Sequence, residues 1–87
     1  MIRVVFSENF RHSAKRISGK QQRKLAGLLE LLRQNPYHAK LHTKLLTGDL
    51  SGFYSFRITR DWRVIFQFLD PEMIQLLRVV HRSDAYR

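Results

Sequence analysis

The first part of the chain combines a short apolar run with two helical patterns. Ile2–Phe6 is rich in β-branched residues and predicts a β-strand. Ser7 suits a helix N-cap, because its hydroxyl accepts a backbone N–H of the first turn, and we predict a helix from there to about Ile17. Ser18 and Gln21 then form the capping-box pattern that opens a second helix.

The second predicted helix is apolar on one side only. Its leucines recur three and four residues apart, which places them on a single stripe, while charged residues occupy the opposite side. The stripe consists of Leu25, Leu28, Leu29 and Leu32. Asn35–Pro36 ends the helix, because a proline disfavours helical backbone at the residue before it.

The second half of the chain has the pattern of β-strands. Glycine, threonine and aspartate interrupt Tyr37–Gly52, which predicts a turn-rich connection. Three segments rich in aromatic and β-branched residues follow, and the tight turns between them predict an antiparallel meander. The predicted strands are Phe53–Thr59, Trp62–Leu69 and Met73–Val80, joined by turns at Arg60–Asp61 and Asp70–Glu72.

The order strand, helix, helix and three strands predicts an α+β domain. We expect the leucine stripe to pack on one face of a small sheet, so that both helices lie on that face and the other face stays free. The length of 87 residues suits one domain over residues 1–87, and there is no internal repeat.

Composition narrows the choice of partners. Sixteen Lys and Arg residues against seven Asp and Glu residues give a formal net charge of +9. So large a charge on a small domain repels itself and indicates a polyanionic partner, nucleic acid or an acidic protein; a merely solubilising basic surface is the alternative. The absence of cysteine excludes disulfides, thiolate zinc sites and cysteine nucleophiles. No run is long enough to span a membrane or act as a signal peptide, so we expect a cytoplasmic protein without a membrane partner.

Two arginines on neighbouring strands are the first candidates for chemistry. Side chains alternate across a strand, so if Phe56 faces the helices, Ser55 and Arg57 face away from them. Arg63 lies on the next strand, across the Arg60–Asp61 turn, and is expected near Arg57. Two neighbouring guanidinium groups repel each other unless an anion lies between them.

The sequence ends in a cluster of polar residues, RVVHRSDAYR. If the last strand is antiparallel to the one before it, His81 and Arg82 lie near Arg63. Such a set suits cleavage of an RNA phosphate, because cations stabilise the charged intermediate and His81 or Tyr86 transfers protons. The alternative role for Tyr86 is to stack on a base. The four histidines show no zinc-site spacing, and we expect no metal. They are His12, His38, His42 and His81.

Three segments, taken together, resemble toxins of the RelE/ParE superfamily. They are Gly48–Ile58, Asp61–Phe66 and Val80–Arg87, in that order along the chain. The resemblance extends over the whole chain. It implies a compact sheet with two helices, a cognate antitoxin in a hetero-oligomeric type II toxin–antitoxin complex, and no cofactor. Its RelE and YafQ-like branch implies a ribosome-dependent endoribonuclease that cuts mRNA in the decoding site.

The resemblance also implies positions for the site. By position, Arg57, Arg63, Arg82 and Tyr86 resemble catalytic residues of the RelE branch. Ser55 stands where the RelE prototype has a lysine, and we expect His81 to replace the missing group functionally. The expected catalytic residues are therefore Arg57, Arg63, His81, Arg82 and Tyr86, and the expected RNA-binding residues are Lys44, Arg60, Asp61 and Arg78.

Two other functions fit the same sequence. A ParE-like inhibitor of DNA gyrase shares the fold and is not a ribonuclease. A basic module that binds nucleic acid without chemistry would explain the charge but not the clustering of His81, Arg82 and Tyr86.

Overall fold

Two α-helices and a five-stranded sheet make up the part of the chain that the structure, a computed structural model, describes, residues 1–84. The strands are β1 (Arg3–Phe6), β2 (Lys44–Leu45), β3 (Tyr54–Arg57), β4 (Trp62–Asp70) and β5 (Met73–His81); the helices are α1 (Glu8–Ala14) and α2 (Gly19–Gln34). Short 3₁₀ turns at Ala39–Leu41 and Gly48–Leu50 flank β2. The strand order is β1-β5-β4-β3-β2.

The α+β class and the antiparallel meander of the last three strands are confirmed. Two strand details differ from the sequence prediction. β1 pairs in parallel with β5, from Arg3 opposite Met73 to Phe6 opposite Leu76, so the sheet is mixed. β2 forms inside the segment predicted to be turns, because two of its residues pair with β3. A strand this short leaves no alternating pattern to read from sequence.

Both helix starts follow the predicted caps. The Ser7 hydroxyl accepts a hydrogen bond from the Phe10 N–H, and Ser18 and Gln21 form both bonds of a capping box. α1 ends at Ala14 rather than near Ile17. The chain leaves the helix there, and Ile17 enters the core, where it is 5% exposed.

The main core lies between the helices and one face of the sheet. Leu32 of α2 and the aromatic rings of Phe56 and Phe66 are fully buried there. The core continues along β5 through Ile74 and Leu76. The predicted leucine stripe is confirmed as the side of α2 that packs on the sheet. Neither described helix is long and apolar enough to cross a membrane.

The expectation of a free second face is wrong. Leu46, Ile65 and Val80 form a smaller core on that face, and Leu50 and Phe53 pack against it. The segment 46–53 therefore covers part of the sheet, although sequence patterns mark residues 46–52 only as turns and start a strand at Phe53. This cover buries side chains that were expected in solvent.

We predict that Leu32→Ala lowers the free energy of unfolding by about 2–5 kcal/mol, because it leaves a cavity at a site with no exposed surface. Leu69→Ala is the matched control, since Leu69 is 50% exposed and its truncation should change stability by less than about 0.5 kcal/mol. Denaturant unfolding of both variants checks this. Equal losses would contradict the assignment of the core.

Candidate anion-binding site

Arg57 and Arg63 are direct cross-strand partners on β3 and β4. The turn between the strands fixes this register: the Ile58 N–H donates to the Trp62 carbonyl at 2.9 Å, and the Thr59 hydroxyl accepts from the Trp62 N–H at 3.3 Å. Residues opposite each other have Cβ atoms only about 4.5–5.5 Å apart and side chains on the same face. The expected proximity of the two arginines is therefore present in the structure.

Burial makes this pair electrostatically costly. Arg63 is 9% exposed and Arg57 is half-buried. The Nε atoms of both side chains are buried and have no hydrogen-bond partner. Two like charges with unsatisfied donors are unfavourable in a low-dielectric environment, and an anion between the two guanidinium groups relieves the repulsion. The geometry favours a group with several oxygens, such as a phosphate.

Ser55 and Lys44 extend this face towards the edge of the sheet. Lys44 of β2 lies opposite Ser55 of β3, which lies opposite Ile65 of β4. Ser55 is 1% exposed, and its hydroxyl oxygen has no hydrogen-bond partner. Lys44 is exposed on the same face. A buried hydroxyl without a partner next to an arginine pair is a further unsatisfied polar group on this face.

Arg82 is held at the turn between β3 and β4 by Asp61. Its backbone N–H donates to the Asp61 carbonyl at 2.7 Å, and its Nε lies 3.6 Å from the Asp61 carboxylate. This double contact holds the residue after β5 beside the strand that carries Arg63. Both side chains of the ion pair are about half exposed, so its role is to orient Arg82 rather than to stabilise the fold.

Arg60 belongs to a small basic notch beside Arg57. The notch has a volume of about 170 Å³ and is lined by basic residues from α2, from the 3₁₀ turn before β2 and from the end of β3. These residues are Lys24, Lys40, His42, Arg57 and Arg60. Sequence reasoning missed the first three, because only the fold brings α2 and the 3₁₀ turn to the end of β3.

His81 lies on the opposite face from the arginine pair. It pairs with Trp62, and its ring meets the indole edge-on at 5.2 Å, on the helix side of the sheet. Val80, not His81, shares the face of Arg63. Arg78 is exposed on β5, opposite Ile65. Of the expected catalytic residues, the structure pairs Arg57 with Arg63, holds Arg82 at Asp61 and places His81 on the other face; Tyr86 lies outside the described residues.

One titratable pair lies away from this site. The pKa of Tyr37 is raised above its ordinary value. Desolvation of its phenol is the larger cause, and its hydrogen bond to Tyr54 is the smaller one. The ring of Tyr54 packs against Phe66 and Phe68 on the helix side. The phenol pair therefore anchors the segment after α2 rather than serving the arginines.

The fold matches several solved toxin structures. YafQ from Escherichia coli strain BL21(DE3) is 20% identical, with all of both chains covered and a TM-score of 0.79. RelE in the archaeal RelE–RelB complex from Pyrococcus horikoshii OT3 is 21% identical, with 97% of this chain and 98% of that chain covered and a TM-score of 0.77. The YoeB–YefM complex from Staphylococcus aureus matches at 21% identity, with 92% of this chain and 95% of that chain covered and a TM-score of 0.74. These likenesses establish the fold.

The family itself is shown by the sequence. A family model described as the ParE toxin of the type II toxin–antitoxin system parDE matches residues 4–86, nearly the whole chain. No curated protein matches significantly. The expected membership of the RelE/ParE superfamily is therefore confirmed, and the chain belongs to the family of ParE toxins of type II toxin–antitoxin systems.

Proposed function

We propose that this toxin is a ribosome-dependent endoribonuclease that cleaves mRNA, and that Arg57 and Arg63 stabilise the charge that develops at the reacting phosphate. The observation that supports this most is the cross-strand arginine pair with two buried, unpartnered Nε atoms. A fold that keeps two like charges together at a cost to stability gains from an anion bound there.

The proposed reaction uses the substrate's own nucleophile. The ribose 2′-oxygen attacks the adjacent phosphorus, the bond from phosphorus to the 5′-oxygen breaks, and the products carry a 2′,3′-cyclic phosphate and a 5′-hydroxyl. One proton leaves the 2′-hydroxyl, and one proton is delivered to the departing 5′-oxygen. The negative charge on the phosphorane oxygens is greatest between these events. Two fixed guanidinium groups at that position stabilise it without reorganisation.

The remaining residues of this face take supporting roles in the proposal. Arg82, oriented by Asp61, contributes a third positive charge, and Lys44 and Arg60 contact flanking phosphates. Tyr86 is proposed as the proton donor or as a platform for a base. His81 is left out of the phosphate contact, because its ring lies on the other face of the sheet.

The proposed partners rest on the net charge of the chain and on the complexes that similar toxins form. A net charge of +9 suits mRNA and the ribosomal decoding site, and translation would place the toxin in the cytoplasm. RelE and YoeB are described in complex with RelB and YefM. We propose by analogy that this toxin forms a hetero-oligomer with an antitoxin that is acidic or amphipathic.

Gyrase inhibition is the second candidate function, and the observation that favours it is the family description as a ParE toxin. The two functions differ in what is broken inside the cell. A ribonuclease cuts translated messages and leaves DNA intact, whereas a gyrase inhibitor traps DNA breaks and leaves messages intact.

We therefore predict that controlled expression of the toxin produces mRNA ends clustered in frame within translated messages, without gyrase-linked DNA breaks. Arg63→Met should reduce cleavage about 100-fold, as expected when one preorganised electrostatic donor is lost. Arg23→Met is the matched control, because Arg23 is exposed on α2. Mapping RNA ends and DNA topology in the same cells measures both outcomes. DNA breaks with intact messages would support the gyrase candidate instead.

Arg63→Met should stabilise the fold, although it reduces cleavage. We predict that Arg63→Met raises the free energy of unfolding of the isolated toxin by about 1 kcal/mol, because it replaces a buried, poorly satisfied charge by an apolar chain of similar length. Arg60→Met, at an exposed position of the same turn, should change it by less than about 0.5 kcal/mol. A marked loss of stability in Arg63→Met would show that Arg63 supports the fold instead.

Binding of the antitoxin to the toxin and binding of RNA to the toxin should depend differently on salt concentration. RNA binding is dominated by counterion release and weakens steeply as ionic strength rises, whereas an amphipathic partner also buries apolar surface. We predict a shallower dependence of log K on log salt concentration for the antitoxin complex than for toxin bound to RNA. Equal slopes in parallel titrations would argue against an apolar contribution from the antitoxin.

A further inference from the structure

A cavity of about 460 Å³ opens at the edge of the sheet, apart from the arginine pair. β1 pairs with β5 only as far as Leu76, so the last residues of β5 have no neighbouring strand on that side. α1 runs past this uncovered edge, and the Ser13 hydroxyl accepts a hydrogen bond from the Val79 N–H at 2.8 Å. The cavity lies between them. Its volume falls in the range of roughly 300–1,000 Å³ that is typical of small-molecule sites.

The lining of the cavity is basic. His12 and Arg16 come from α1 and the turn after it, and Arg78 comes from β5. Within residues 1–84, neither the Arg16 nor the Arg78 guanidinium forms an ion pair. Asp84 also lines the cavity and has an interaction of its own. Two arginines against one carboxylate leave the cavity positive, which favours an anionic ligand.

Two aromatic rings form a corner of the same cavity. The Trp62 and His81 rings are 5.2 Å apart and nearly perpendicular, at 89°. A flat base that stacks on one of these rings presents its edge to the other. The Ser83 N–H donates to Nδ1 of His81, so in the neutral imidazole the hydrogen is on Nε2, which is a donor for a base or a phosphate.

We propose that this cavity binds one nucleotide unit of an RNA chain, with the base in the corner formed by Trp62 and His81 and the phosphate held by Arg16 and Arg78. Aromatic faces beside cations are the usual means of holding unpaired nucleotides. The Ser13 hydroxyl takes no part, because it already accepts from Val79 and donates to the Asn9 carbonyl. His81 thereby acquires a binding role in place of the expected catalytic one.

This site shares no lining residue with the Arg57 and Arg63 pair. Binding here does not require cleavage there, and the proposal holds whether or not the toxin is a ribonuclease. The two sites together would extend the contact with RNA from one face of the sheet to its edge.

Trp62 provides a direct test, because it is the only tryptophan of the chain and its indole N–H gives one unambiguous NMR signal. The full-length toxin is titrated with AMP, with a short 2′-O-methylated oligoribonucleotide that resists cleavage, and with inorganic phosphate. We expect the indole signal to shift with both nucleotide ligands, the oligonucleotide to bind at least about tenfold more tightly, and phosphate to leave the signal unchanged. Equal affinities of the two nucleotide ligands would contradict an RNA chain as the occupant of the cavity.

Variants separate this cavity from the arginine pair. Arg16→Ala and, as a second variant, Arg78→Ala should each weaken binding about tenfold, equivalent to roughly 1.4 kcal/mol. Arg23→Ala controls for loss of one exposed charge outside the cavity, and Arg57→Ala should leave the AMP-induced shift intact. The proposal is overturned if no nucleotide moves the indole signal, if phosphate alone reproduces the shift, if Arg23→Ala is as damaging as Arg16→Ala, or if Arg57→Ala abolishes the shift.

Discussion

The pairing of Arg57 with Arg63 is the constraint on which the proposed chemistry depends. The short turn between β3 and β4 fixes the register, and the register places the two arginines directly opposite each other on one face. Their backbones cannot shift relative to each other without breaking the hydrogen bonds of the meander. The like charges are therefore held together by the backbone, which is what preorganised stabilisation of an anionic transition state requires.

The segment 46–53, which covers part of the second face of the sheet, strengthens the electrostatic effect of this pair on a bound phosphate. Leu46 and Phe53 pack with Ile65 and Val80 on the face that carries Arg63, and Arg63 is buried there. In a partly desolvated site each charge acts on a bound phosphate more strongly than it would in water. The same burial leaves Nε atoms unsatisfied, so the stability of the free toxin and its affinity for an anion oppose each other.

Sequence patterns predict most of this fold and only part of the site. The caps at Ser7 and Ser18 and the alternation along β3 are local signals, and they correctly place both helices and the outward arginines. β2 and the cover at 46–53 depend on contacts between distant segments, so their short patterns carry no period to detect. His81 shows the same limit: the register puts it opposite Trp62, the residue before Arg63, and side-chain alternation turns its ring to the other face.

A crystal structure of the toxin with a 2′-O-methylated oligoribonucleotide tests most directly whether Arg57 and Arg63 bind an RNA phosphate. This ligand retains the phosphate and blocks the attacking hydroxyl. We expect one phosphate whose non-bridging oxygens accept charge-assisted hydrogen bonds from both Arg57 and Arg63, at about 2.7–2.9 Å. A complex in which RNA phosphates bind elsewhere, and both guanidinium groups remain without an anion, would contradict this expectation.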